Sequence, residues 1–271
     1  MLRGLFEKNV REVWRVVAIT CVALGAAMGL LVRILPQFDE GLNEIMLQIP
    51  FVRVIISGLM GIDVSSGLAP QMLLVIVWSH PIVLAIVWGT AVVLSTRVPA
   101  AEIERGTIDV LMSWPVSRSA VYLSETIVCV CAGVLLLLSG ALGFLVSGST
   151  LPAELRPNAL NTTLTVVNLF ALYLAIVGTV QCITAACDRR GKAMGIAIAF
   201  LLASFLVSFL STLWPPAERI VFASIVHYYR PAQVMLTGRL PVWDVVVLVI
   251  WGTCLWVIGG VIWNRRSVLT V

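Results

Sequence analysis

TIVCVCAGVLLLLSGALGFLVSGSTLPA, residues 126 to 153, runs for 28 residues without an aspartate, glutamate, lysine or arginine. About 20 apolar residues, rising 1.5 Å each, cross the roughly 30 Å hydrocarbon core of a bilayer. This stretch is therefore long enough for one crossing. Charged residues divide the rest of the 271-residue chain so that five more stretches of 17 or more remain: Val16 to Val32, Val64 to Thr96, Pro157 to Cys187, Ala193 to Ala217 and Val245 to Asn264. The chain is 60% hydrophobic and 12% charged, with a mean hydropathy of +1.02, whereas a soluble domain is about 25% charged. Lipid is the main solvent, and a net charge of +4 is too mild for a nucleic-acid binder.

The reading is an all-α polytopic membrane protein, one transmembrane domain with six transmembrane helices at 16–35, 75–95, 120–147, 161–187, 193–213 and 244–263. Arg33 ends the first stretch and can snorkel to the headgroups. The second stretch, 33 residues, would make a helix of about 50 Å, so its start falls outside the core. Alternate sides of the six spans carry unequal positive charge. One side holds Arg3, Lys8, Arg11, Arg15, Arg97, Arg105, Arg118, Arg189, Arg190, Lys192, Arg265 and Arg266, and the other Arg33, Arg53, Arg156, Arg219, Arg230 and Arg239. Cytoplasmic loops carry the excess of Lys and Arg. Both termini are accordingly predicted to be cytoplasmic, in a plasma (inner) membrane.

Leu2, Leu5, Phe6, Val10, Val13 and Trp14 share one helical face, which predicts an N-terminal amphipathic interfacial helix over residues 1–15, lying along the inner leaflet. Lys8 with Glu12 and Glu7 with Arg11 pair at i, i+4 on its wet side. The six cysteines include no CxxC pair, and only two histidines accompany them, so neither a disulfide framework nor a metal site is expected. No soluble domain fits between the spans, and the G-x-x-x-x-G-K-[ST] phosphate loop is absent. Any ATP-driven work needs another chain to bind the nucleotide.

The most informative polar stretch is EIERGTIDVLMSWPVSR, residues 102 to 118, within a predicted cytoplasmic loop over 97–119. After Gly106 a short helix is expected: Thr107 caps it, Asp109 complements its dipole, and Pro115 stops it. Ile108, Leu111 and Met112 share one face, while Glu102, Glu104 and Arg105 charge the approach and Ser117 and Arg118 turn the chain into the next span. Such an element is a rigid knob for a partner's cleft, or else an ordinary interfacial turn.

These residues resemble a known family. Glu104, Gly106, Thr107, Asp109, Leu111, Met112, Pro115, Val116 and Arg118 are similar to the "E.GT.E.LL..PV.R" signature between the second and third helices of ABC-2 type transporter permeases. The likeness continues in the amphipathic start, the six helices with both ends inside, the outer segment HYYRPAQVMLTG from His227 to Gly238, and the basic ending from Asn264 to Ser267. The resemblance implies that Gly106 to Ser113 is a coupling helix docking on a separate ATP-binding cassette ATPase subunit, which holds ATP and Mg while this chain binds no cofactor. It also implies a second permease copy, making a dimer, and no enzyme activity in this chain. Asp109 stands where Glu is more usual, Trp114 is bulky, and Glu125 lies near where a lysine is often found. These departures leave the cargo open.

All six charge-free stretches lack acids and bases, which argues against a gradient-driven carrier. His80 is then the one titratable group expected within a span, followed by Pro81, which should kink the helix. The pair reads as a hinge or cargo contact, or as a histidine bonded to a neighbouring carbonyl. His227, Tyr228 and Tyr229, with Trp214 and Trp243, form either an aromatic belt at the headgroups or a re-entrant cap over an exit path. The loop from Pro36 to Ala69 is expected to skim the outer surface without spanning. GAAMG (Gly25 to Gly29) and GKAMG (Gly191 to Gly195) suit close helix packing within one subunit or a dimer seam. The alternatives to the permease reading are a stand-alone secondary carrier or lipid-handling protein, and a non-transporting anchor for a cytoplasmic partner.

Overall fold

A computed structural model of the chain describes residues 2–35, 49, 55, 57–58, 70–108, 110, 113 and 116–266. Its principal helices are α1 (Leu2–Ile34), α2 (Pro70–Ser79), α3 (Pro81–Ser95), α4 (Arg118–Gly148), α5 (Ala159–Ala186), α6 (Arg190–Ser211), α7 (Pro231–Thr237) and α8 (Val242–Arg265). Among the described residues six helical runs are long and apolar enough to cross a membrane: Gly4–Ile34, Met72–Ser95, Arg118–Gly148, Ala153–Ala186, Arg190–Ser211 and Val242–Arg265. The chain has the all-helical architecture of a multi-pass membrane protein. The expected loop course from Pro36 to Ala69 falls almost wholly outside the described residues.

Two helix pairs form the frame, α1 with α4 and α5 with α8. Glycines let their backbones touch. A Cβ on Gly143 would stand 2.1 Å from the Gly25 carbonyl oxygen, and one on Gly178 would stand 2.1 Å from the Gly252 oxygen. Apolar side chains gain little by leaving lipid for each other, so such close approaches, with their dispersion contacts, supply much of the association. The GAAMG segment is thus spent on packing inside the subunit, whereas Gly191 and Gly195 of GKAMG face open space. Between the two frames, α5 also touches α3, α4, α6 and α7. At its centre Tyr173 lies against Gly133 and donates its hydroxyl to the Cys129 carbonyl at 2.9 Å.

The interfacial helix expected over 1–15 is corrected: α1 is one helix of 33 residues, about 50 Å long. No proline or glycine lies between Leu5 and Leu24 to break it. Its apolar face meets protein, since Leu5 and Val13 are buried and Asn9 Nδ2 donates to Ser124 Oγ on α4 at 3.2 Å. Val10 and Trp14 stay exposed.

The second crossing is broken at His80, as Pro81 led one to expect. His80 has an extended ψ of 132°, and its Nδ1 accepts from the Ile82 N–H at 3.2 Å, capping α3 with Pro81 in the first turn. The ring thus takes a backbone donor at Nδ1, and no bond from it to a carbonyl is made among the described residues. Near the break, the Trp78 carbonyl accepts a hydrogen bond from the Tyr229 hydroxyl at 3.1 Å.

The segment before α8 divides the expected aromatic cluster. Ile225, Val226 and Tyr229 join the main core, while Trp214 and Trp243 are 58% and 82% exposed. At the opposite end of the bundle Leu5, Val98, Ile108, Val121, Tyr122, Ala185 and Trp263 form a second core. The N-terminal part of α1 and the last turns of α8 thus lie together.

Candidate functional site

The segment joining α3 to α4 leaves the helix through Thr96, whose Oγ1 donates back to the Val92 carbonyl at 2.8 Å. A wide turn from Arg97 to Ala101, extended at Val98, leads into one helical turn, Glu102–Glu104. Gly106 then reverses the chain with φ +67°. The would-be Cβ of Gly106 meets nothing within 4 Å, so glycine is required by the left-handed backbone and not by space. Ile108 and Val110 resume helical backbone, and Ser113 Oγ donates to the Val110 carbonyl at 2.8 Å. Ser117 caps α4, its Oγ accepting from the Ala120 N–H at 3.1 Å.

Neighbouring helices hold this segment firmly. Ile108 is 1% exposed inside the second core; it anchors the segment and offers nothing to a partner. The Lys8 ammonium of α1 lies 3.1 Å from Glu102 Oε1 and 3.5 Å from Glu12 Oε1, the latter being the i, i+4 pair read from sequence. The Thr107 hydroxyl also donates to the Glu102 carboxylate; the cap expected of it on the next helix involves Asp109, which lies outside the described residues. Burial alone would raise the Glu102 carboxyl, but the hydrogen bonds from Thr107 and Lys8, with the Lys8 and Arg105 charges, outweigh it and hold it below the ordinary carboxylate range. Glu104 Oε2 accepts from the Arg190 N–H at 2.8 Å, and the Arg190 guanidinium donates to the Val93 carbonyl at 3.0 Å. Arg118 lies over the Trp263 ring, 5.5 Å from its centroid, and Trp263 Nε1 donates to the Arg118 carbonyl at 3.0 Å.

Only part of the expected docking set faces out. Glu104, Arg105, Gly106 and Thr107 are exposed, Glu102 and Ile108 are buried, and Arg118 is half-buried. Val110 is 63% exposed; it escaped the sequence reading because the face drawn through Ile108, Leu111 and Met112 excluded it. Asp109, Leu111, Met112 and Pro115 lie outside the described residues.

One group was missed. Glu125, noted in the sequence only as lying near where a lysine is often found, is 1% exposed inside the bundle, with its carboxylate oxygens lacking hydrogen-bond partners among the described residues. Arg97 Nη2 stands 3.9 Å away while making a 2.6 Å pair with Glu12. His80 is therefore not the sole titratable group in a span, since Glu125 lies within Arg118–Gly148. A carboxylate this deep costs several kcal/mol, roughly, unless it is paired or neutral. Its burial comes from α1 and the 97–101 turn packing over α4, contacts distant in residue order.

The other expected set lies at the far end of the bundle. His227 and Tyr228 meet edge to face, with ring centres 5.3 Å apart, and Tyr229 reaches the broken crossing through Trp78 as described above. His80 itself is engaged in capping. In the 97–118 segment Val110 and Ser113 are exposed, while Glu102, Glu104 and Arg118 tie it to α1, α6 and α8. Compared with models of known families, with curated proteins and with solved structures, the chain matches none.

Proposed function

We propose that this chain is the permease subunit of an ABC-2 type ATP-driven transporter, residing in the plasma (inner) membrane with both termini in the cytoplasm. It forms the membrane pathway as half of a dimer with a second permease copy. A separate ATP-binding cassette subunit binds ATP and Mg, hydrolyses the nucleotide and pushes on the 102–118 segment; this chain is no enzyme. The observation that carries the reading is the exposure of Val110 and Ser113 on a base clamped by Lys8, Arg190 and Trp263, in a stretch that resembles the family's signature. The twelve-to-six split of Lys and Arg supports the orientation.

A stand-alone carrier is the second reading, and Glu125 favours it, a buried carboxylate without a hydrogen bond and with Arg97 only as a 3.9 Å ion-pair neighbour, because gradient coupling needs an intramembrane group that takes and releases an ion. The two separate in proteoliposomes. The permease reading expects the tagged chain to bring down an ATP-binding subunit from membranes, and the reconstituted pair to hydrolyse ATP at least several-fold faster than the ATPase alone. A chain that purifies alone and acidifies or alkalinises liposomes under an imposed gradient would establish the carrier.

A further inference from the structure

At the end of the bundle away from the Leu5–Trp263 core, the α2–α3 break, the last turns of α6 and the 226–237 segment surround a cavity of about 460 Å³. That is the size of sites that hold small molecules. Phe205 and Phe209, stacked with ring centres 6.2 Å apart, form one apolar wall, and Leu84 and Val226 extend it. Ser79 also lines the cavity; it is 4% exposed, and its hydroxyl has no hydrogen-bond partner among the described residues. Buried hydroxyls are nearly always bonded, so an orphan at a cavity wall marks a place where a ligand atom belongs.

The charge of the lining has one sign. Among the described residues Arg230 is its sole charged side chain, and no carboxylate lines it. The counter-ion Asp244 stands outside the lining, with Oδ2 2.9 Å from Arg230 Nε, off the hydrogen-bond line and so an ion pair without an aligned bond. Arg230 Nη2 is 3.1 Å from His227 Nε2. A guanidinium only donates, so that ring nitrogen accepts and the imidazole is neutral. Burial and the Arg230 charge both push the His227 pKa down, against the opposing pull of Asp244.

We propose that this cavity binds a single-chain amphipathic anion, its acidic head on Arg230 and Ser79 and its apolar body against Phe205 and Phe209. The binding assignment stands apart from ATP coupling; only the view of the anion as cargo rests on the transport reading.

The full chain in phosphatidylcholine nanodiscs, photolysed with a diazirine-bearing palmitate, tests it. Labelling is expected on 205–212 and 226–237, saturating with dose and displaced by oleate but not by oleyl alcohol. Arg230→Gln should reduce it at least fivefold. Because that variant also loses the Asp244 pair, Ser208→Trp, which fills the cavity and leaves Arg230 in place, should abolish it independently. Labelling spread without saturation over the lipid-facing helices, or displaced equally by the alcohol, or unchanged in both variants, overturns the proposal. With an ATP-binding subunit present, ATP empties the site if the anion is cargo and leaves it filled if the anion is a resident membrane lipid. Binding stands in either case, so a failure of coupling is distinguishable from a failure of the site.

Discussion

Alanine at Gly143 or at Gly178 is expected to lower stability by about 3 kcal/mol, the upper part of the range for overpacking a close-fitted interior. At both positions the added methyl carbon meets backbone at 2.1 Å, the Gly25 oxygen in one case and the Gly252 oxygen in the other. No side chain there can rotate away, so the helix axes must separate and the surrounding contacts loosen. Gly89 and Gly195 provide the contrast, since a methyl carbon at either meets nothing within 4 Å. Alanine there relieves the conformational cost of a helical glycine and should be neutral or stabilising by ~0.5–1 kcal/mol. Thermal unfolding of the four variants in one detergent checks this. Equal melting of Gly178→Ala and Gly195→Ala would contradict the pairing of α5 with α8.

How far residue order alone reached is clearest at particular places. The six crossings were legible because a bilayer demands long uncharged runs, and the helix ends at Gly148, Ala186 and Ser211 fall within two residues of the expected ones. The break at Pro81 was legible because proline denies the helix a donor. The course of α1 was not. A 3.6-residue pattern shows that Leu5 and Val13 share a face but not whether that face meets headgroups or α4. Glu125 illustrates the same limit: charge next to an apolar stretch normally marks an interface, and only the overlying turn at 97–101 makes it interior. At the candidate site the stretch was recognisable, but its inner and outer faces were not. Ile108 faces the core because Leu5 and Trp263, far away in sequence, come to meet it.

The second large effect is expected at the tip of that segment. Gly106→Pro removes the N–H that donates to the Ile103 carbonyl at 3.0 Å and replaces a φ of +67° with one near −65°. The turn cannot close, and the segment loses its geometry. Val110→Asp changes only an exposed apolar contact and should leave the fold unaltered. Both variants are expected to insert and melt like the parent or within a few degrees of it, while stimulation of the partner ATPase falls at least tenfold. Ile108→Asp serves as the opposite control: a charge at a 1% exposed core position should prevent folding altogether. Full stimulation in both Gly106→Pro and Val110→Asp would show that the tip transmits nothing.

A coupling segment must face the cytoplasm and touch an ATP-binding subunit. In a variant with the six native cysteines replaced, Ser113→Cys should react with a membrane-impermeant maleimide in inside-out vesicles only, and should crosslink to an ATP-binding subunit when one is present. Reaction from the outer face of intact cells, or a tip that crosslinks to no such subunit in a functioning transporter, would contradict the coupling role.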